Sequence, residues 1–124
     1  MLGDVLESTC CHDIEASGFI ATPAKNDFYT FTGTLINGRH LYITKKQFYT
    51  YGIWFNGQYG DAAGWVIDKI SYLTEGATIR SNESKKDKQF CPSVIKVWQE
   101  MKMTRWTNST TAIVQCLSGN NVNA

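Results

Sequence analysis

Proline, long apolar runs and an excess of charge of one sign are scarce or missing in this chain. Two of its 124 residues are proline, and twelve Lys and Arg against eleven Asp and Glu give a formal net charge of +1. A nucleic-acid-binding domain is expected to be clearly basic, and a polybasic membrane anchor needs clustered cations. No apolar run approaches the roughly 18 residues of a membrane-spanning helix. We therefore expect no nucleic-acid partner and no membrane insertion.

Motifs of known catalytic chemistry are missing as well. The chain has no phosphate-binding glycine motif and no H-E-x-x-H motif. His12 stands beside Cys11 and Asp13, but consecutive side chains of an extended strand point in opposite directions. His40 could act as a base, but no partner that would position it can be identified. The carboxylates available for glycoside chemistry show no spacing that selects a pair: Asp61, Asp68, Glu75 and Glu100. We expect no enzymatic activity and no cofactor.

Aromatic and β-forming residues are abundant instead. The chain is 43% hydrophobic and 13% aromatic, which is enough for a real core and favours strands over helices. We predict a compact all-β domain, an antiparallel β-sandwich or small barrel of about seven to eight strands stabilised by disulfides. The domain spans residues 14–117, between an N-terminal arm (residues 1–13) and a loose C-terminal tail (residues 118–124).

The expected strands follow alternating or aromatic segments. They are residues 14–20, 28–36, 39–44, 49–55, 65–67, 78–80 and 111–117, with residues 70–73 as a further candidate. Residues 93–103 have apolar positions at helical spacing, but they also permit a strand, which the β context favours. The polar stretch 81–89 is expected to be a solvent-exposed loop.

The dipeptide Asn37-Gly38 predicts a β-hairpin. A type I′ turn needs positive φ at both central residues, and Asn-Gly is the pair that tolerates it best. A two-residue loop places Leu35 opposite His40 and Gly33 opposite Tyr42. Residues 39 and 40 then leave the hairpin on opposite faces.

Four cysteines, Cys10, Cys11, Cys91 and Cys116, predict two disulfides and an oxidising, extracellular location. Neighbouring cysteines do not readily bridge each other, so Cys10 and Cys11 each take a distant partner. Cys10 pairs with Cys116 and Cys11 with Cys91, or the reverse. The metal-binding alternative is weaker because the chain has no C-x-x-C spacing. We expect no metal site.

Two N-x-[ST] sequons support secretion, although such triplets also arise by chance. They begin at Asn82 and Asn108, in polar segments, and are the expected glycosylation sites.

The glycine-rich loop from residue 56 to residue 64 is the principal candidate binding site. It joins polar side chains to flanking tryptophans, a mixture typical of sugar sites. Its candidate ligand-binding residues, with one from the hairpin, are Trp54, Asn56, Gln58, Tyr59, Asp61 and Arg39. The alternative, that Trp54 and Trp65 belong to the core, is favoured because large aromatics dominate the cores of small β domains.

The order of these features resembles a known module. Asn37-Gly38-Arg39 is followed by Tyr42, then by Ile53-Trp54, Cys91-Pro92 and the closing segment TAIVQC. This order is similar to a small extracellular β module that is repeated in multidomain and receptor-like proteins of invertebrates and has cysteine-poor relatives in protists. The chain departs from that pattern at residues 25–29, where the module tends to have Asn-Gly. Because these modules share no known activity, the resemblance implies an accessory, adhesion or recognition role and supplies no site residues.

We therefore expect a secreted, non-enzymatic recognition, adhesion or assembly module whose partner is an extracellular protein or glycan. The alternatives are a carbohydrate-binding, lectin-like domain and a self-associating subunit of an extracellular filament or matrix.

Overall fold

The computed structural model describes residues 10–45, 49–57, 64–72, 78–83 and 89–117. These ranges contain nine strands of one antiparallel sheet: β1 (Asp13–Ser17), β2 (Asp27–Ile36), β3 (Arg39–Lys45), β4 (Thr50–Asn56), β5 (Gly64–Lys69), β6 (Ile79–Ser81), β7 (Trp98–Lys102), β8 (Arg105–Asn108) and β9 (Ile113–Cys116). The predicted all-β class is confirmed. The predicted number of seven to eight strands is wrong. The described strands form one sheet, curled into a half-barrel, so the predicted sandwich is not shown.

The strand order β8-β7-β6-β5-β4-β3-β2-β1-β9 forces the sheet to curl. Nine strands laid flat would hold β8 and β9 about 38 Å apart. The five peptide steps from Asn108 to Ile113 can span at most about 18 Å. The connection is held on both sides, since Ser109 N donates to Trp98 O (2.8 Å) and Thr111 Oγ1 donates to Gly18 O (2.6 Å). The two edges of the sheet therefore lie close together.

The inner face of the half-barrel carries the main core. Its buried side chains come from both ends of the sheet, which is possible only on the inside of the curl. They include Ile14, Tyr29, Tyr42, Ile53, Trp65, Ile67, Ile79, Trp98 and Val114. Two 3₁₀ turns, Pro23–Lys25 and Pro92–Val94, each contribute a buried residue. A smaller cluster of Leu41, Trp54 and Val66 packs separately, on the opposite face of β3–β5.

Both predicted disulfides are present. Cys10 pairs with Cys91 and Cys11 with Cys116, the second of the two pairings open from the sequence. Their Cα–Cα distances of 5.4 and 5.6 Å are ordinary for disulfides. Together they fasten the start of β1 to residue 91 and to the end of β9.

The Asn37-Gly38 hairpin forms as predicted. Asn37 has φ 54° and Gly38 has φ 80°, the positive values that a type I′ turn needs. Asn37 Nδ2 also donates to Phe55 O at 2.7 Å, which fastens the tip of the hairpin to the end of β4.

The register of that hairpin is right only near its turn. Leu35 lies opposite His40 as predicted, but Tyr42 pairs with Phe31 and not with Gly33. An irregularity between Phe31 and Leu35 adds two residues to β2, and Gly33 adopts φ 87° within it. A β-bulge of this kind shifts every pair beyond it.

Two other predictions differ from the structure. β1 ends at Ser17 and not at residue 20, and Ile70–Tyr72 is a 3₁₀ turn and not a strand. The strand favoured in the ambiguous segment 93–103 is present as β7, which follows a 3₁₀ turn, while β8 was not predicted. Most of the predicted arm (residues 1–9), the predicted tail (residues 118–124) and residues 84–88 of the predicted loop lie outside the described residues. Within the described ranges, no helix has the length and apolar character needed to cross a membrane.

Candidate functional site

The predicted loop site is only partly described. Gln58, Tyr59 and Asp61 lie outside the described residues. Trp54 is 1% exposed and packs with Leu41 and Val66, so its ring offers no face to a ligand here.

The second tryptophan beside that loop is also buried. Trp65 is 0% exposed, and its Nε1 donates to Gln89 O at 3.0 Å. Both tryptophans thus occupy the core positions that the sequence favoured for them. Asn56, at the end of β4, is 8% exposed.

Arg39 packs against aromatic rings at the hairpin tip. Its guanidinium carbon lies 3.8 Å from the centroid of the Phe55 ring and 5.2 Å from that of Phe90. Burial lowers the pKa of Arg39, and the nearby Glu83 carboxylate opposes this effect. The structure brings Arg39 close to the end of β4, where Asn56 also lies.

A different accessible surface is more fully organised. We call it the Trp106 surface, and it consists of Arg80, Gln99, Trp106 and Asn108. The strand register places Arg80 opposite Gln99 and Gln99 opposite Asn108, so adjacent strands β6, β7 and β8 present these side chains together. A shallow groove of about 510 Å³ runs along Gln99 and the four residues of β8.

Hydrogen bonds and a cation–π contact hold this surface in place. The Arg80 guanidinium carbon lies 4.1 Å from the centroid of the half-buried Trp106 ring. Arg80 Nε donates to Gln99 Oε1 (2.7 Å), and Gln99 Nε2 donates to Asn108 Oδ1 (2.9 Å). Because each side chain is held by the next, the indole is presented in one orientation.

The charge of the Trp106 surface comes from one side chain. That side chain is Arg80, whereas Arg105 and Lys102 lie opposite each other across β7 and β8 and point to the other face of the sheet from Trp106. The one carboxylate on β6–β8 belongs to Glu100, which is 1% exposed and accepts hydrogen bonds from residues 20–22. Burial lowers the pKa of Arg80. The groove therefore suits neutral or anionic partners.

An exposed methionine lies at the tip of the β7–β8 hairpin. Met103 is 98% exposed and has φ 58°. Met103 is the first residue of the two-residue turn 103–104, and Thr104 does not share its positive φ. This pattern is that of a type II′ turn, which prefers glycine at its first residue. A left-handed residue that is not glycine costs about 1–2 kcal/mol.

The two sequon asparagines meet beside the Trp106 surface. Asn82 and Asn108 are both exposed, and Asn82 Nδ2 donates to Asn108 Oδ1 at 3.1 Å. Asn108 ends β8, and Asn82 directly follows β6. Their glycosylation stays a prediction.

The histidines considered for catalysis lie elsewhere. His12 Nδ1 lies 3.1 Å from Asp13 Oδ1 in an exposed pair, while Cys11 is in a disulfide. His40 is 7% exposed, its ring centroid lies 4.0 Å from that of Phe31, and burial lowers its pKa.

The carboxylates divide into buried and undescribed groups. Asp61 and Glu75 lie outside the described residues, whereas Asp68 and Glu100 are buried and accept several hydrogen bonds. The described part of the chain holds no group of three or more His, Cys, Asp or Glu placed to bind a metal ion.

The sequence contained a signal for the Trp106 surface. In the stretch Arg105-Trp106-Thr107-Asn108, Trp and Asn alternate with Arg and Thr, the period of a short strand with one aromatic face.

Comparison with known proteins adds no further information: no family model, no curated protein and no solved structure matches this chain.

Proposed function

We propose that this chain is an extracellular, non-enzymatic recognition module that contacts its partner through the Trp106 surface. The observation that carries the proposal is the half-buried indole of Trp106, held by Arg80 beside a polar groove. Trp and Arg dominate the binding energy of protein interfaces. Side chains already fixed in the free protein also lose less entropy on binding.

The extracellular location is supported by the two disulfides. Disulfides persist in oxidising compartments and are rare in the cytosol. The sequons at Asn82 and Asn108 agree with this location. The resemblance to extracellular β modules is a further expectation in the same direction.

The test compares the half-buried Trp106 with an exposed aromatic residue on another strand. Protein secreted by eukaryotic cells is multimerised on streptavidin and offered to panels of purified matrix proteins and glycans. Trp106→Ala is expected to weaken binding at least tenfold, about 1.4 kcal/mol. Phe28→Ala, which removes a ring that is 56% exposed on β2, is the matched control and should bind like the wild type. Unchanged binding of the Trp106 variant, or no partner in either panel, contradicts the proposal.

A carbohydrate is the second candidate partner. Gln99 and Asn108, whose side-chain amides lie on the same face of the sheet as the indole, line the groove. Sugar sites combine an apolar wall with a few placed polar groups in this way. Hits on the glycan array that Gln99→Leu removes would support this candidate. An array without hits, together with a protein partner in the other panel, would refute it.

Self-assembly is the third candidate. Within the described residues, β8 and β9 are the outermost strands of the sheet. An unprotected edge strand can pair with a second copy. Light scattering over a wide concentration range tests this, and a strict monomer at the highest concentration would exclude a filament subunit.

A further inference from the structure

One lysine and two carboxylic acids of the described residues lie buried in the half-barrel, away from the Trp106 surface. Lys25 is 9% exposed, Asp68 2% and Glu100 1%. Lys, Asp and Glu are almost never fully buried unless they are paired. Recognition through the Trp106 surface gives these three residues no role.

The carboxylate of Asp68 is fixed in orientation. Its Oδ2 accepts from Thr78 N (2.8 Å) and Thr78 Oγ1 (3.0 Å), and its Oδ1 accepts from Lys69 N at 2.7 Å. Lys25 Nζ lies 3.9 Å from Oδ1. One oxygen is therefore held by two donors of the same residue, while the other lies beside the amine.

The backbone of Lys25 is fixed as well. Its N–H donates to Thr22 O at 3.1 Å, and its carbonyl accepts from Tyr29 Oη at 2.8 Å. The Glu100 carboxylate accepts from the N–H groups of residues 20, 21 and 22 and from Thr22 Oγ1. Glu100 thus acts as a positioning residue that holds the turn from which Lys25 extends.

We propose that Lys25 and Asp68 join through an intramolecular isopeptide bond. The amine nitrogen of Lys25 attacks Cγ of Asp68, a C–N bond forms, and the bond from Cγ to Oδ1 breaks. Of the three protons of the Lys25 ammonium, two pass to Oδ1, which leaves as water, and the third stays on the amide nitrogen. The ion pair thus becomes an amide and one water, so the step needs no oxidant, reductant or co-reactant.

The surroundings favour this step at several points. A productive approach brings the reacting atoms to about 3–3.5 Å, which requires a small movement of the Lys25 side chain. The Thr78 donors lie on the oxygen that develops negative charge when the amine adds, the arrangement of an oxyanion hole. Burial favours the neutral, nucleophilic amine, because desolvation lowers the pKa of Lys25, although Asp68 opposes this effect. Burial also limits the water that would reverse the reaction.

The measurement is the intact mass of the full chain after reduction and alkylation. The measured mass of the wild-type protein is expected to be one water lower than the mass calculated for the alkylated sequence. Fragmentation should locate the loss in a branched peptide that joins Lys25 to Asp68. The proposal is refuted if the folded protein has the mass calculated for the sequence without loss of water. Loss of water within a linear peptide, as in a succinimide at an aspartate, refutes it equally.

Variants sharpen the test without requiring binding activity. Lys25→Arg should restore the full mass, whereas Lys69→Arg, which changes the lysine next to Asp68, should keep the cross-link. Asp68→Asn should lose ammonia where the wild type loses water, because an amide then supplies the leaving group. Since the decisive mass is that of the wild-type protein, a variant that fails to fold does not weaken the test.

Discussion

Replacing Gly18 by alanine should destabilise the half-barrel more than a typical glycine substitution. Gly18 has φ 78°, and its carbonyl accepts the hydroxyl of Thr111 from the connection that joins the two edges of the sheet. A Cβ at Gly18 would overlap the carbonyl oxygen of Thr111 and would lie 3.2 Å from Ala112 Cα. Both obstacles are backbone atoms, so the connection itself would have to move.

The magnitude follows from comparison with a glycine that has the same conformation and free space. Gly38 has φ 80°, and no atom lies within 4 Å of a Cβ built there. Alanine in the left-handed region costs about 1–2 kcal/mol, and the stiffer unfolded chain offsets about 0.4–1 kcal/mol of this cost. Gly38→Ala should therefore lower the free energy of unfolding by about 1 kcal/mol. Gly18→Ala adds an overpacking cost of about 1–3 kcal/mol, for a total near 3 kcal/mol.

Denaturant unfolding of the two variants and the wild type, with both disulfides intact, measures this difference. The variant at Gly18 should unfold at a clearly lower denaturant concentration than the variant at Gly38. Equal destabilisation by the two variants would show that the connection does not close on Gly18 as described. No effect of Gly38→Ala would instead contradict the type I′ turn.

Three further outcomes are expected. Met103→Gly should raise the free energy of unfolding by about 1 kcal/mol, because it removes left-handed strain, and an unchanged melting temperature would argue against the type II′ turn. The free energy of unfolding should fall as pH drops below the ordinary histidine pKa of about 6.5, because burial lowers the pKa of His40 and the unfolded chain then binds more protons. His40→Phe should remove this part of the pH dependence. Identical pH profiles for the variant and the wild type would refute this role of His40. Replacing Cys10 and Cys91 together by alanine should lower the free energy of unfolding by about 4 kcal/mol, as judged by the denaturation midpoint, and a loss below 1 kcal/mol would count against the pairing.

Local signals in this sequence predicted local structure well. Asn37-Gly38 predicted its turn because a type I′ turn needs positive φ at its two central residues, and Asn and Gly at those two positions tolerate it. The register beyond that turn failed because the irregularity around Gly33 inserts two residues, and isolated alternation does not reveal such an insertion. The pairing of the cysteines stayed open because both choices close long loops, and the choice depends on where β9 joins the sheet.

The candidate site was harder to predict because it is assembled from distant segments. Arg80 and Trp106 come together only through the pairing of β6 with β7 and of β7 with β8. β8 is four residues long, mostly polar and at the edge of the sheet, so its composition resembles that of a loop. The burial of Lys25 and Glu100 was equally hidden, since a charged residue in a polar stretch is normally assigned to the surface.

The Cys11–Cys116 disulfide has a mechanical consequence. The Cα atoms of the two residues are 5.6 Å apart, so the chain enters and leaves the sheet at a single point. Tension applied to the chain before Cys11 and after Cys116 would pass through the sulfur–sulfur bond. The hydrogen bonds between the strands would then carry no load. The half-barrel should therefore resist stretching as long as this bond is oxidised. Once this bond alone is reduced, tension passes through the Cys10–Cys91 disulfide, so the segment after Cys91, which holds β7, β8 and β9, is the part that should extend. The redox state of one bond would thus decide whether tension leaves strands β7–β9 folded or unravels them.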